Sequence, residues 1–250
     1  MLLIGVYPAL GLLVRLAARH STRAPALSGS VRGLLWVSGF ELLIFSIFFA
    51  MACLISRASR EQLMLPWRPG WWVAPLGVVY SIGIRIGLVL IAVAVVVILA
   101  ATGMVTPDKV QGYANANRPD IDVLVSVSAM RDNPAYYWLT ITLVSFVVAG
   151  LREEMWRAGS LAAMRVLWPR TFNSWRGQCL AVALIAAAFG IMHLQMGMLA
   201  AVAAGILGVF LGMIIVVHRS IWPAVIAHGF FDATSMAILP WAIEKARQFH

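Results

Sequence analysis

Two adjacent carboxylates, Glu153 and Glu154, lie in the stretch GLREEMWRAGS, directly after the apolar run YYWLTITLVSFVVA. An ionisable side chain at membrane depth is costly and is a functional candidate by default. A glutamate in a poorly hydrated cavity can act as general base toward water. Taken alone, the stretch also fits a row of interfacial salt bridges at a helix end, so other residues must decide between the two interpretations.

Two later apolar stretches each contain a histidine. The stretch AAAFGIMHLQMG places His193 four residues after Phe189, and SIWPAVIAHGFFDATS places Asp232 four residues after His228. Residues four apart project from one helix face, so we expect His228 and Asp232 to lie side by side. Imidazoles can hold a metal ion or donate hydrogen bonds to a developing oxyanion. With the two glutamates, they supply what water attack on an amide needs.

Other residue patterns give little support to other kinds of catalytic or metal-binding site. The sequence has neither the Gly-x-Ser-x-Gly stretch of serine hydrolases nor the His-Glu-x-x-His of soluble zinc proteases. Cys53 and Cys179 stand apart, which predicts neither a disulfide framework nor a zinc finger. Glu41 and Arg85 are single charges inside apolar spans, and we interpret them as structural, paired with each other or with other groups.

The composition predicts that these residues belong to a membrane protein. Of the 250 residues, 62% are hydrophobic and 12% are charged, which is more apolar surface than one soluble core can bury. The formal charge of +9 comes from Lys and Arg scattered between apolar runs, which favours loops facing anionic lipid over a nucleic-acid surface. We therefore predict an all-α, polytopic transmembrane helical bundle of about seven or eight helices, with the site in a membrane-embedded cavity.

Apolar windows near 20 residues mark the predicted spans. They lie near 2–18, 34–55, 73–103, 135–152, 179–194, 198–217 and 221–240. The stretch beginning EEMWRAGSL alternates apolar and charged positions, which predicts an amphipathic helix that continues the fourth span and a basic loop after it. We expect a single membrane domain over 1–250, with a retained first helix rather than a cleaved signal peptide.

Loop charges predict the orientation of the chain. The connection 106–134 carries more acids than bases, whereas 165–178 carries only bases, which places 106–134 outside and 165–178 in the cytoplasm. Arg19, Arg23 and Arg32 of the first loop would then lie outside, against the positive-inside rule. Either the first segment does not cross the membrane or the number of spans differs by one.

Three stretches, EEMWRAGSL, FGIMH and WPAVIAHGFFD, resemble the three motifs of the CPBP family, the type II CAAX prenyl endopeptidases and their bacterial relatives, also called Abi proteins. The family patterns are Glu-Glu-x-x-x-Arg, Phe-x-x-x-His and His-x-x-x-Asn/Asp, in that order on separate transmembrane helices. The resemblance covers roughly residues 145–240. It implies an intramembrane endopeptidase that hydrolyses a peptide bond near the C-terminus or a membrane segment of a protein substrate.

The resemblance also implies a role for each matching residue. Glu153 would activate water with Glu154 as the second acid, while the two histidines would bind a metal or stabilise the oxyanion. The implied catalytic residues are Glu153, Glu154, His193, His228 and Asp232, with Arg157 and Phe189 in support, and the implied metal ligands are Glu153, His193, His228 and Asp232. The cofactor is a divalent metal, with zinc the first choice, or there is none.

Arg157 departs from the family pattern by one position. Aligned on the two glutamates and on the Gly-x-Leu that follows, the motif arginine falls on Ala158. Aligned on Arg157 instead, Glu153 becomes the second acid and Arg152 replaces the first. We prefer the first alignment, in which Arg157 can pair with Glu153 at four residues or with Glu154 at three. Which glutamate is the base stays open here.

Two other functions use the same residue types. Intramembrane Glu, His and Asp also serve as proton relays in transporters, although the sequence lacks the inverted repeats and paired broken helices of that class. A catalytically inactive family member acting as a scaffold or in self-immunity is the other alternative. The expected partners are membrane lipid and a membrane-associated or C-terminal peptide, with no nucleic acid, and the expected location is the bacterial inner membrane.

Overall fold

The computed structural model describes residues 28–117 and 119–248, and the predicted first span at 2–18 lies outside them. The described residues form helices and turns without strands, which confirms the all-α prediction. In chain order the helices are α1 (Val31–Ser56), α2 (Val73–Ala101), α3 (Pro107–Ala116), α4 (Val127–Asp132), α5 (Pro134–Leu139), a π-helix (Thr140–Leu151), α6 (Arg152–Leu167), α7 (Pro169–Phe172), α8 (Trp175–Met192), α9 (Met198–His218) and α10 (Trp222–Gln248).

Five helical stretches among the described residues are long and apolar enough to cross a membrane. They are Val31–Ser56, Gly70–Ala101, Pro134–Leu167, Trp175–Met192 and Met198–His218, and each overlaps a predicted span. The predicted span 221–240 is helical within α10 but is not one of the five, because its polar residues around His228 and Asp232 lower its hydropathy. The chain is therefore an integral membrane protein built as a helical bundle.

A continuous helical rod over residues 134–167 carries the two glutamates. It begins at Asn133, whose side chain accepts hydrogen bonds from two following backbone N–H groups, and Pro134 occupies the first helical position. Its middle part is the π-helix, a geometry frequent at functional sites. Glu153 and Glu154 lie in the first turn of α6, directly after the π-helix, so the predicted continuation of the fourth span is confirmed.

Two connections that were predicted without helices are partly helical. The segment 106–134 contains α3 and α4, and 165–178 contains α7 and the first turn of α8. The helix α8 begins at Trp175, four residues before the predicted start of its span, because the Ser174 side chain caps it by accepting the Gly177 N–H. Capping by polar side chains therefore extends helices into stretches that hydropathy marks as loops.

Close backbone approach joins the rod to α10. A Cβ atom at Gly150 would lie 3.0 Å from the Val225 carbonyl oxygen, and one at Gly229 would lie 2.3 Å from the Phe146 ring. Small residues let helices in a membrane approach closely. The contact brings the end of the π-helix, and with it the first turn of α6, against the part of α10 that carries His228.

The buried core lies mainly between α6, α8, α9 and α10. It includes Leu161, Phe189 and Leu211, while a smaller cluster at the start of the rod groups Tyr136 with Leu34 of α1. Most large apolar side chains along α2 are exposed, as expected for a helix that faces lipid. The site residues are thus held by the best-packed helices of the described part of the chain.

Candidate active site

The three predicted motifs meet between α6, α8 and α10. The first turn of α6 supplies the two glutamates, the end of α8 supplies a phenylalanine and a histidine, and α10 supplies a histidine and an aspartate. These residues are Glu153 and Glu154, Phe189 and His193, and His228 and Asp232.

Glu154 lies at the buried side of the site and holds His228. Its side chain has no exposed surface, and its Oε1 lies 2.8 Å from His228 Nδ1. The same oxygen forms an ion pair with Arg157, which is 1% exposed. Because a carboxylate only accepts hydrogen bonds, Nδ1 of His228 carries the proton and donates it. Glu154 therefore fixes the ring orientation of His228 and leaves its Nε2 facing the rest of the site.

The Nε2 atom of His228 faces two further carboxylates. Asp232 Oδ2 lies 3.6 Å from it and Glu153 Oε2 lies 3.9 Å from it. The side chains of Glu153 and Asp232 are 20% and 25% exposed, unlike that of Glu154. Both distances exceed those of a direct hydrogen bond, so Nε2 is committed to neither acid. The expected proximity of His228 and Asp232 is confirmed.

Phe189 lies at the centre of the remaining contacts. Its ring is 4.5 Å from the His193 ring and 6.2 Å from the His228 ring, measured between centroids, and the Arg157 guanidinium lies 4.8 Å from its centroid. Such aromatic and cation–π contacts favour one relative arrangement of the groups. The ring is buried, and it fixes the spacing between both imidazoles and the arginine.

His193 is oriented by the backbone of its own helix. Its Nδ1 lies 2.8 Å from the Phe189 carbonyl oxygen. A carbonyl oxygen only accepts, so Nδ1 donates its proton and Nε2 is the free nitrogen. His193 also lies within electrostatic range of the Asp232 carboxylate. Both histidines therefore have an occupied Nδ1 and a free Nε2.

Arg152 is a site residue that the sequence did not reveal. Its Nη2 lies 3.2 Å from Glu153 Oε1, and its Nη1 lies 2.6 Å from Glu41 Oε2 on α1. The signal in the sequence was only that Glu41, a lone acid within a span, needs a cationic partner. Arg152 and Glu41 thus form a partly exposed ion network with Glu153, whereas Glu154 is buried.

Arg85 of α2 contacts α10 next to Asp232. It donates hydrogen bonds to the Phe231 carbonyl oxygen and to the hydroxyls of Thr234 and Ser235, and it lies within electrostatic range of Asp232. The interpretation of Glu41 and Arg85 as charges paired with other groups is confirmed. Both residues lie in the first 140 residues, so that half of the chain contributes side chains at the edge of the site.

The side chains of the site are of the types that bind divalent metal ions. Two imidazoles with occupied Nδ1 and free Nε2 atoms are typical of metal-binding histidines, and Glu153 and Asp232 add carboxylate oxygens. Among residues 28–117 and 119–248, no three His, Cys, Asp or Glu side chains form a group that could hold an ion as they stand. The ligand set of His193, His228, Glu153 and Asp232 therefore stays a prediction.

A comparison with protein families agrees with the motif resemblance. Residues 134–234 match the family described as type II CAAX prenyl endopeptidase, Rce1-like. Comparisons with curated proteins and with solved structures found no match. The matched range contains all six residues of the three motifs and corresponds to the predicted core near 145–240. Over residues 134–234 the chain is therefore similar to the type II CAAX prenyl endopeptidase Rce1-like family.

Proposed function

We propose that this membrane protein is an intramembrane endopeptidase in which Glu153 is the general base. The family supports a CAAX-type endopeptidase in general terms. The observation that carries the assignment of the base is the contrast between the two acids. Glu154 is fully buried and bound by Arg157 and His228, whereas Glu153 is 20% exposed and faces His228 Nε2 across 3.9 Å.

In the proposed reaction, Glu153 removes a proton from a water molecule whose oxygen attacks the carbonyl carbon of the scissile peptide bond. The tetrahedral intermediate then collapses, the C–N bond breaks, and Glu153 returns the proton to the leaving nitrogen. Glu154 acts on the reaction only through His228, whose ring it orients. This division assigns Glu153 the chemical step and Glu154 the positioning.

The developing oxyanion would be stabilised from the histidine side of the site. His228 directs Nε2 there with Asp232 beside it, and Nε2 of His193 is free. A divalent ion, with zinc the first choice, would be held by these residues with Glu153 and would polarise the carbonyl as a Lewis acid. In a glutamic mechanism, protonated imidazoles would donate hydrogen bonds to the same oxygen. The metal content of the purified wild type, compared with that of the His228→Ala variant, distinguishes the two mechanisms. A bound divalent ion that is lost in the variant supports the metal mechanism.

The test is cleavage of a membrane-anchored reporter peptide that ends in a CAAX motif, by purified protein in nanodiscs. Glu153→Gln is expected to lower the cleavage rate by a factor on the order of 10² to 10⁴, because a general base is lost. The matched control is Asp132→Asn, since Asp132 is an exposed acid paired with Arg131 outside the site. Unchanged cleavage by a folded Glu153→Gln variant would refute the assignment.

The substrate is proposed to be a membrane-associated protein or a C-terminal peptide, and the location to be the bacterial inner membrane. Reporters with and without a prenyl group on the CAAX cysteine test whether the lipid is recognised. A folded wild-type protein that cleaves neither reporter nor other C-terminal peptides would favour the inactive scaffold or the transporter instead. Uptake of solute into liposomes that depends on Glu153 would then distinguish these two.

A further inference from the structure

One end of the molecule collects seven arginines, away from the three motifs. The segments 57–72, 165–178 and 219–221 meet there, because Arg165 Nη2 donates to the Gln62 carbonyl oxygen at 2.7 Å and Ile221 N donates to the Met64 carbonyl oxygen at 2.8 Å. The arginines of these segments are Arg57, Arg60, Arg68, Arg165, Arg170, Arg176 and Arg219, against the single acid Glu61.

A cavity of about 390 Å³ opens at this end. Its lining includes Glu61, Gln62, Met64, Arg165, Asn173 and Arg219. Two guanidiniums and two side-chain amides thus surround one space. This set can donate many hydrogen bonds, and guanidinium is the group best suited to bind phosphate.

The charges around the cavity are not balanced by the described residues. Glu61, its only acid, is engaged by Arg68 at 2.8 Å. Arg165 and Arg219 lie within electrostatic range of each other, and no described carboxylate forms an ion pair with either of them. Two like charges that face one cavity repel each other, and an anion bound between them would remove this cost.

The cavity walls are fixed in place. The loop before α2 is held to the turn before α10 by hydrogen bonds from Ser220 Oγ to the Pro66 carbonyl oxygen and from Trp222 Nε1 to the Leu65 carbonyl oxygen. Both Met64 and Arg219 have left-handed backbones, with φ of 53° and 49°. Such conformations are costly for residues other than glycine and persist where the surroundings hold them, often at functional sites.

We propose that this cavity binds the phosphate group of an anionic lipid headgroup. Exposed tryptophans surround the same end, as expected for side chains at the level of the headgroups. They are Trp67, Trp71, Trp72, Trp168 and Trp175. A free phosphate offers the same chemistry, but the tryptophans place the cavity at the level of the headgroups, where lipid phosphates lie. The arginine excess is also that of a cytoplasmic surface facing anionic lipid, in line with the predicted orientation of 165–178.

The test measures lipid retention by native mass spectrometry of the detergent-purified chain, with phosphatidylglycerol and phosphatidylcholine as probes. We expect the wild type to retain phosphatidylglycerol in preference to phosphatidylcholine. The double variant Arg165→Gln with Arg219→Gln is expected to retain at least about five-fold less phosphatidylglycerol than the wild type, because two phosphate contacts are removed. The matched control is Arg170→Gln with Arg176→Gln, which removes the same charge from the same end outside the cavity lining.

Equal loss of retention in both double variants would overturn the proposal, because it would show a diffuse charge effect without a site. Arg165 also bonds the backbone of Gln62, so Arg219→Gln alone serves if the double variant does not fold. Inorganic phosphate added as competitor distinguishes the two sources: we expect the lipid to stay bound, and its displacement would assign the cavity to free phosphate. None of these readouts depends on peptide cleavage.

Discussion

The two acids of the Glu-Glu motif are adjacent in sequence, yet they belong to different ion networks. Glu154 lies in an inner network with Arg157 and His228, all three of which are 2% exposed or less. Glu153 lies in an outer network with Arg152 and Glu41, whose side chains are between 15% and 25% exposed. The first network is buried within the bundle, and the second is partly exposed.

This difference follows from helix geometry. Consecutive residues of a helix point about 100° apart, so two adjacent acids cannot share one environment on a packed helix. α10 and α8 cover the face of α6 that carries Glu154 and Arg157, while Glu153 turns toward the edge where α1 contributes Glu41. The motif therefore combines a buried acid that contacts His228 and a partly exposed acid.

The largest effect is expected from Glu154→Ala. The substitution leaves the buried Arg157 guanidinium without its carboxylate, and breaking a buried ion pair costs about 3–5 kcal/mol in free energy of unfolding. The decrease in free energy of unfolding is expected to be large because the Arg157 nitrogens have no aligned hydrogen bond among the described residues. Thermal unfolding in detergent measures the change, and cleavage of the reporter should also be lost because His228 is no longer oriented.

Glu153→Ala is the matched comparison for this effect. Its side chain is partly exposed and its partner Arg152 keeps Glu41, so the free energy of unfolding should change by about 1 kcal/mol or less. Equal destabilisation by the two substitutions would show that the inner and outer networks do not differ as described.

A second experiment removes the inner ion pair as a whole. Replacing Glu154 and Arg157 together by leucine leaves no unpaired charge, and such replacements are often neutral or stabilising. We expect unfolding within about 2 kcal/mol of the wild type, while cleavage stays lost because His228 Nδ1 has no acceptor. The single Arg157→Leu variant, which strands a buried carboxylate, is the destabilised control. A stable double variant that cleaves normally would show that His228 needs no orientation by Glu154.

Much of the fold could be predicted from hydropathy, because a span needs about 20 apolar residues whatever it packs against. The starts of helices were harder to predict. The start of α8 depends on the Ser174 cap, and α3 and α4 are short helices within a polar connection. The predicted span at 221–240 is helical, but α10 is not among the five helices long and apolar enough to cross a membrane. Local side-chain chemistry decided each of these points.

The site could be predicted as a set of residues but not as a set of pairs. Helical spacing allowed Arg157 to pair with Glu153 or with Glu154, and only the packing of α10 against α6 placed His228 on the Glu154 side. The contact between Glu41 and Arg152 joins residues 111 positions apart, and no local pattern specifies such a contact. The motifs identify the residues that meet between α6, α8 and α10, whereas the partners that hold these residues depend on tertiary structure.

The smallest effect is expected from Glu41→Gln, which weakens the outer network without touching the motif. In the wild type, Arg152 lies 2.6 Å from Glu41 and 3.2 Å from Glu153. The variant removes the charge at position 41, so we expect the Arg152 side chain to shift toward Glu153. Partly exposed ion pairs contribute about 0.2–1 kcal/mol, and we expect a roughly two- to five-fold fall in kcat with unfolding almost unchanged.

Asp132→Asn is the control for this variant, because it removes an acid from an exposed ion pair outside the three motifs. A fall in kcat for Glu41→Gln alone, measured with the CAAX reporter at saturating concentration, would show that α1 influences the base through Arg152. An identical kcat for both variants and the wild type would mean that the outer network only anchors α1. The comparison of the two acids would then rest on burial and on the partners of Glu154 alone.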